Sequence, residues 1–221
     1  MQMNEGVLHL LIITSLLAPC QNAYNRGMKH RYVVGIDEVG RGPIAGPVSV
    51  CAVLIPRDLC GKDFKGVRDS KKLTPKKREE WFLYTKVKKD KGEINYAVAS
   101  VGAKKIDDIG ISKSIKLATQ RAIHRLGVKP EECLVLLDGG LSAPSEFKNQ
   151  KTIVRGEDKE FSIALASVIA KVTRDRKMCR LSDVYPNYLF SEHKGYGTPT
   201  HYRIIKEKGM CEIHRKSFIH L

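Results

Sequence analysis

The sequence has little that would commit it to a membrane, a disulfide framework or a zinc site. Its six cysteines, at positions 20, 51, 60, 133, 179 and 211, form no Cys-x-x-Cys pair and no Cys/His cluster. Zinc ligation and a thioredoxin-like redox motif are therefore unsupported. Cys51 and Cys133 stand in apolar, strand-like runs and read as small core residues of a reduced, cytoplasmic protein. Residues 6–18 are nearly continuous apolar sequence, interrupted by His9, Thr14 and Ser15. That stretch is short for a membrane span. No basic residue precedes it, only Glu5, which argues against a secretory signal. No internal repeat or low-complexity segment is present, so solenoid and fibrous architectures are excluded.

Acidic residues are also scarce. Lys and Arg number 39 against 24 Asp and Glu, a formal charge of +15 in 221 residues. Residues 1–27 hold only Glu5 and Arg26 among these types, which cancel, so the whole excess belongs to residues 28–221. A surface this basic expects a polyanionic partner. The division implied is an apolar N-terminal extension at 1–27, read as disordered or as non-native and arising from an upstream start codon, and one domain at 28–221 that begins at Met28. The latter length suits a single well-cored domain.

From Tyr32 onward the pattern becomes that of a mixed α/β sheet. Short apolar runs at 32–36, 48–55, 97–101, 134–137 and 151–154 read as five strands. Thr74-Pro75 supplies a helix cap with proline at the first helical position, which predicts a charged helix over 76–89. Helical spacing of apolar residues predicts one helix from 106 to 126, stopped by Gly127, and another from 160 to 181. A shorter helix is expected after Pro199.

The segment Tyr32-Val33-Val34-Gly35-Ile36-Asp37-Glu38-Val39-Gly40-Arg41-Gly42-Pro43 carries the most chemistry. A buried strand runs into two adjacent carboxylates and then a glycine-rich turn with one arginine. Neighbouring strand residues face opposite ways. Asp37 and Glu38 are therefore expected to share a site only where the strand ends or bulges, and Gly40 and Gly42 favour such irregularity. Two acids beside free backbone N–H groups and an arginine suit a divalent metal next to a phosphate. Asp138 stands at the end of another apolar run, Leu134-Val135-Leu136-Leu137, before Gly139 and Gly140.

These residues resemble the signature of ribonuclease HII. The resemblance continues through Gly46-Pro47-Val48, Asp69-Ser70-Lys71-Lys72-Leu73, Leu137-Asp138-Gly139, Ala166-Ser167-Val168-Ile169-Ala170-Lys171-Val172-Thr173-Arg174-Asp175 and His193-Lys194-Gly195-Tyr196. It spans about residues 28–218, in the family's order. The resemblance implies a ribonuclease H-like mixed sheet of about five strands flanked by helices, with a helical C-terminal portion. It implies an endonuclease that cuts the RNA strand of RNA/DNA hybrids. Duplex DNA would be cut on the 5′ side of an embedded ribonucleotide, leaving 3′-OH and 5′-phosphate ends, in ribonucleotide removal during DNA repair and replication. Two divalent ions, Mg2+ or Mn2+, about 4 Å apart, would generate hydroxide and stabilise the leaving oxygen.

By the same resemblance Asp37, Glu38 and Asp138 are catalytic metal ligands. The family's fourth acid precedes the Ala-Ser-x-x-Ala-Lys helix as Gly-Asp, whereas this chain has Gly156-Glu157-Asp158. Counting back from Ala166-Ser167 assigns the catalytic role to Glu157, with Asp158 the alternative and a helix N-terminus decorated by both acids the bland reading. Gly40, Arg41 and Gly42 match the loop whose backbone contacts the ribonucleotide and its 2′-OH, the group that separates RNA from DNA. Tyr196 matches a tyrosine packed on the next deoxyribose. Ser70, Lys71 and Lys72 look like phosphate contacts. Lys171 and Asp175, four residues apart on the long helix, read as structural. A monomer without membrane contact is expected, and no sliding-clamp peptide is evident in residues 211–221.

Three readings compete with this one. A ribonuclease HIII-like enzyme should carry a further N-terminal domain and lack the Gly-Arg-Gly turn. A catalytically inactive nucleic-acid-binding module would use the basic surface alone, and intact Asp37, Glu38 and Asp138 oppose it. An integrase or transposase would lack both the Gly-Arg-Gly and Lys-Gly-Tyr blocks.

Overall fold

In the computed structural model, residues 30–59, 64, 66–67 and 73–220 are described. The apolar stretch at 6–18, the expected start at Met28, and Ser70, Lys71 and Lys72 lie outside the described residues. Among the described residues five strands form one sheet: β1 (Tyr32–Val39), β2 (Val48–Pro56), β3 (Asn95–Val101), β4 (Cys133–Asp138) and β5 (Gln150–Ile153). Their order is β3-β2-β1-β4-β5. The first three pair antiparallel, while β4 lies parallel to β1 and to β5, so the sheet is mixed.

Both faces of the sheet are covered, which is why β1 and β2 read as continuous apolar runs rather than alternating ones. One face, with Val34, Ile36, Val48 and Val50, packs on α2 (Ala103–Ile109) and α3 (Ile111–His124) through Ile106, Ile115, Ala118 and Ala122. The opposite face, with Cys51, Val53 and Ile55, packs on α5 (Phe161–Val184). Trp81, Phe82 and Tyr84 of α1 (Pro75–Asp90) close that core from outside. Thr74 caps α1 by accepting from the Lys77 N–H at 3.2 Å, with Pro75 at the first position, as expected.

Gly35 decides how deeply α5 sits. A Cβ there would fall 2.2 Å from the Ser162 carbonyl carbon and 2.7 Å from the Ile163 nitrogen. Only a residue without a side chain lets α5 lie against β1. The helix meets the sheet with small residues, Ala164, Ala166 and Ala170, all fully buried.

The C-terminal portion is helical, as expected, with α6 (Phe190–His193) and α7 (Pro199–Lys208). Tyr188, Phe190 and Ile204 pack with Met178 of α5 and Ala45 into a third core beside the sheet. One expectation needs correction. The single helix predicted over 106–126 is two, because Gly110 adopts φ 81 and ψ 160, a conformation outside the helical region. Asp37 and Glu38 lie where β1 ends, one of the two alternatives expected, and regular pairing with β2 through Val39↔Ser49 shows that no bulge is involved. Among the described residues no helix is long and apolar enough to cross a membrane.

Candidate active site

The two strands that carry the acids run parallel side by side, with Ile36 opposite Leu137 as the last paired step. Asp37 and Asp138 follow immediately, so both carboxylates emerge at the carboxyl ends of neighbouring strands, where open α/β sheets bind ligands. Asp37 shares the α5 face with Gly35, whereas Glu38 belongs to the opposite face. They nevertheless line one cleft, because Glu38 lies at the strand's end, where the chain turns into Gly40-Arg41-Gly42. The cleft measures about 410 Å³ and is lined by Asp37, Glu38, Asp138, the Gly40–Gly42 turn and Tyr196.

Asp37 is almost fully buried, 6% exposed. Burial drives its carboxyl well above the ordinary carboxylate range. The Ser167 hydroxyl, donating to it from α5, pulls it back, and the neighbouring charges of Glu38 and Asp138 push it up again. Its Oδ1 also accepts the Glu38 N–H at 2.8 Å. Glu38 pairs with Arg41 at 3.1 Å. The Arg41 side chain is half exposed, so this contact orients more than it stabilises. Asp138 Oδ1 accepts the Gly156 N–H at 2.6 Å. A Cβ on Gly156 would stand 2.5 Å from Ile163 Cδ1 and 3.3 Å from Asp138 Oδ1, so glycine keeps that approach open.

Gly156 begins α4 (Gly156–Lys159), entered through Arg155 in the left-handed conformation with φ 53. Glu157 on this turn is buried, 1% exposed, and is not among the residues lining the cleft. Asp158 instead pairs with Arg155 at 2.7 Å. The structure thus brings Asp37, Glu38, Asp138, Gly40, Arg41, Gly42 and Tyr196 to one cleft, with Glu157 held one residue beyond Asp138's backbone donor.

Tyr196 is 43% exposed and fixed through its backbone. Its N–H donates to the His193 carbonyl at 2.9 Å, and its carbonyl accepts from His201 Nδ1 at 2.8 Å. The Gly195 carbonyl accepts the Ile44 and Ala45 N–H groups at 2.9 and 3.1 Å, which ties the tyrosine turn to the loop after Gly42.

Sequence reasoning missed several residues of the cleft. Ser167 was visible only as part of the Ala-Ser block, and its contact with Asp37 depends on the depth of α5. Arg78 of α1 and Lys171 of α5 also line the wall. Lys171 does pair with Asp175 at 3.0 Å, the structural role expected, and adds a cation to the cleft at the same time.

Among the described residues no three His, Cys, Asp or Glu side chains stand together as a formed metal cluster. The donor set nevertheless fits a hard divalent cation: three carboxylates on rigid strand ends, one of them raised by burial and by its acidic neighbours. Glu38 and Asp138 are turned toward Arg41 and the Gly156 N–H respectively.

A mixed sheet with acids at the ends of its central parallel pair, flanked by helices on both faces, is the architecture of ribonuclease H-like enzymes. Comparison with known proteins makes this specific. The ribonuclease HII family profile matches residues 34–221. The ribonuclease HII of Caldicellulosiruptor saccharolyticus is 48% identical over 190 residues, covering 86% of this chain and 88% of the relative. That of Fusobacterium nucleatum is 44% identical over 199 residues, covering 89% of each. The chain belongs to the ribonuclease HII family, and is an enzyme of the ribonuclease H type. Among solved structures, the ribonuclease H2 of Pyrococcus horikoshii superposes with a TM-score of 0.61 at 26% identity, over 84% of this chain and 93% of that one. The ribonuclease HII in the PCNA complex from Archaeoglobus fulgidus gives 0.67 at 23% identity over 86% and 96%. The Mn2+ complex of Bst-RNase HIII gives 0.62 at 20% identity over 87% and 70%; these last two likenesses bear on the fold alone.

Proposed function

We propose that the cleft binds a duplex containing ribonucleotides and hydrolyses the phosphodiester on the 5′ side of a ribonucleotide, leaving 3′-OH and 5′-phosphate ends. The same chemistry cuts the RNA strand of RNA/DNA hybrids. The observation that carries this reading is the convergence of Asp37, Glu38 and Asp138 with the Gly40–Gly42 turn and Tyr196 on one cleft. Acids alone would fit many phosphate-processing sites. Acids facing a backbone turn and an exposed aromatic ring fit a site that must hold a sugar as well as a phosphate.

Asp37, Glu38 and Asp138 would hold the divalent cations, Mg2+ or Mn2+. When bound, these supply a water of lowered pKa and offset charge on the leaving oxygen. The protein's own residues supply the rest. Ser167 fixes the rotamer of Asp37 by donating to it. The Gly156 N–H fixes Asp138. Arg41 and Lys171 both line the cleft and place positive charge in it, suited to phosphates near the scissile bond. Tyr196 offers its ring to the deoxyribose that follows the ribonucleotide. We assign the fourth carboxylate to Glu157, supported by its burial beside the Asp138 tether, while Asp158 is occupied by Arg155. The net charge of +15 provides the long-range attraction for a polyanion.

The test is cleavage, in magnesium, of two labelled duplexes: DNA with one embedded ribonucleotide, and an all-RNA/DNA hybrid. A single incision 5′ to the lone ribonucleotide, with a ligatable 5′-phosphate, is expected. Binding to both duplexes without incision in either metal would leave only the inactive-module reading.

A further inference from the structure

Two arginines, Arg174 of α5 and Arg215 near the C-terminus, are both 0% exposed. Each spends its guanidinium on backbone carbonyls. Arg174 donates to Pro47 O at 2.9 Å, Ala45 O at 3.3 Å and Lys194 O at 3.0 Å. Arg215 donates from Nε to Gly46 O at 2.9 Å and from its two terminal nitrogens to Arg41 O at 3.0 Å and Gly40 O at 2.7 Å. Burying a charge is costly unless its donors are satisfied, so placing two beneath one loop asks for a purpose.

The planarity of the peptide unit supplies one. In a trans peptide the carbonyl of one residue and the N–H of the next point in opposite directions. Arg215 draws the Gly40 and Arg41 carbonyls inward. The N–H groups of Arg41 and Gly42 must then point outward, into the cleft that these residues line. Among the described residues neither N–H is engaged in a backbone hydrogen bond.

Arg215 is itself held from three sides. Its backbone N–H donates to the Ile44 carbonyl at 2.8 Å, and its guanidinium stacks on Phe218 with 5.2 Å to the ring centre. Asp107 of α2 accepts the Lys216 N–H at 2.9 Å and the Ser217 N–H at 3.0 Å, anchoring the next two residues. Burial lowers the Arg215 guanidinium to about 10, which leaves it protonated at neutral pH.

We propose that Arg215 is a positioning residue for ribonucleotide recognition: by gripping the Gly40 and Arg41 carbonyls from the interior, it aims the Arg41 and Gly42 N–H groups at the ribose 2′-hydroxyl. This rests on the function proposed above. Lysine cannot replace it, because a single ammonium lacks the fork that holds three carbonyls in fixed directions. Arg174 provides the internal control, since it is equally buried and equally bonded but grips Ala45, Pro47 and Lys194 instead.

The experiment measures affinity for two duplexes identical except for one ribonucleotide, in an Asp138→Asn background that binds without cutting. Arg215→Lys should lower the preference for the ribonucleotide duplex by about tenfold, the loss of one to two hydrogen bonds, with all-DNA affinity little changed. Arg174→Lys should keep that preference. Equal preference in Arg215→Lys and the parent would overturn the proposal, as would the same loss in both lysine variants. If Arg215→Lys fails to fold, the parent protein decides: its Arg41 and Gly42 amide resonances should shift with the ribonucleotide duplex and not with the all-DNA duplex. Unshifted amides would again overturn it. A parent that shows no preference at all would remove the functional reading itself, and this inference with it.

Discussion

The Nε2 atoms of His201 and His214 lie 3.0 Å apart in the interior of the C-terminal portion. Their protonation follows from their other partners. His214 Nδ1 accepts the Cys211 N–H at 2.9 Å, so its proton is on Nε2 and points at His201. His201 must accept there, and its Nδ1–H donates to the Tyr196 carbonyl at 2.8 Å. The chain Cys211, His214, His201, Tyr196 is consistent only with both rings neutral. His193 stacks on His201 at 4.1 Å and accepts the Gly195 N–H, so it too shares this arrangement.

Acid should therefore destabilise the fold through this chain. Burial lowers His201 to about 4, while its bond to the Tyr196 carbonyl acts the other way, and His193 and His214 push it down further. The unfolded ring, near 6.5, binds a proton that the folded ring refuses. The stabilisation is fully present above pH 6.5 and is lost as pH falls toward 4, by roughly 2 kcal/mol at pH 5 from this group alone. Urea unfolding at pH 7 and pH 5 should show this loss in the wild type and a shallower one in His201→Gln. Identical slopes would mean that other groups carry the acid sensitivity.

Gly35→Ala should destabilise by about 3 kcal/mol or more, because the added methyl meets main-chain atoms of Ser162 and Ile163 that no rotamer change can move. The displaced α5 would also carry Ser167 away from Asp37. Loss of stability without loss of activity, measured well below the melting temperature, would show that α5 depth does not control the acid.

Much of this arrangement could be read in the chain. Acids at the ends of apolar runs, Asp37 and Asp138, are visible as such, since a buried strand leaves a carboxylate only at its end. The five strands and the capped helix after Thr74 follow from local pattern. The break at Gly110 does not, because Ile106 and Ile115 pack on the same core from either side of it, and the helical spacing continues across the kink. Glu38 is legible as well, because a strand end is one of the two ways expected to bring it beside Asp37. No bulge is needed to bring it to the cleft once the turn to Arg41 begins directly after Val39. The support that Ser167, Arg174 and Arg215 give to residues 37–47 joins positions more than 100 apart, and no periodicity encodes it.

Magnesium should raise the melting temperature of the wild type, and EDTA should reverse the effect. Ligand binding stabilises only the folded form, by about 2.7 kcal/mol at 100 times Kd. Asp138→Asn removes one charge of the donor set while keeping its shape, so it should lose both this metal-dependent shift and several orders of magnitude of cleavage, yet still bind duplex. A magnesium shift of wild-type size in Asp138→Asn would remove that residue from the metal site.

Tyr196→Ala should reduce incision at a single embedded ribonucleotide more than cutting of a long RNA/DNA hybrid. The ring is exposed at the cleft while its backbone is held independently by His193 and His201, so truncation removes the aromatic surface and little else. In the proposed binding mode, only the RNA–DNA junction presents a deoxyribose to that ring. Matched losses in kcat/KM on the two substrates would reduce Tyr196 to a packing role.

The assignment of the fourth carboxylate can be decided between neighbours. Glu157 and Asp158 sit in the same first turn of α4, so each substitution perturbs the helix N-terminus to a similar degree, through the same local field. Their surroundings differ. Asp158 is turned to Arg155, whose side chain is largely exposed, and neutralising it should cost little, as exposed pairs generally do. Glu157 is buried behind the glycine whose N–H holds Asp138. Glu157→Gln should therefore depress kcat in magnesium far more than Asp158→Asn, with KM for the duplex nearly constant in both. With Glu157 as the proposed fourth carboxylate, a side chain one methylene longer than aspartate gives a looser site, so activity in manganese should be comparatively well retained. The reverse ranking, with Asp158→Asn the more damaging, would transfer the role to Asp158 and make the buried Glu157 a structural residue of the β5–α4 turn.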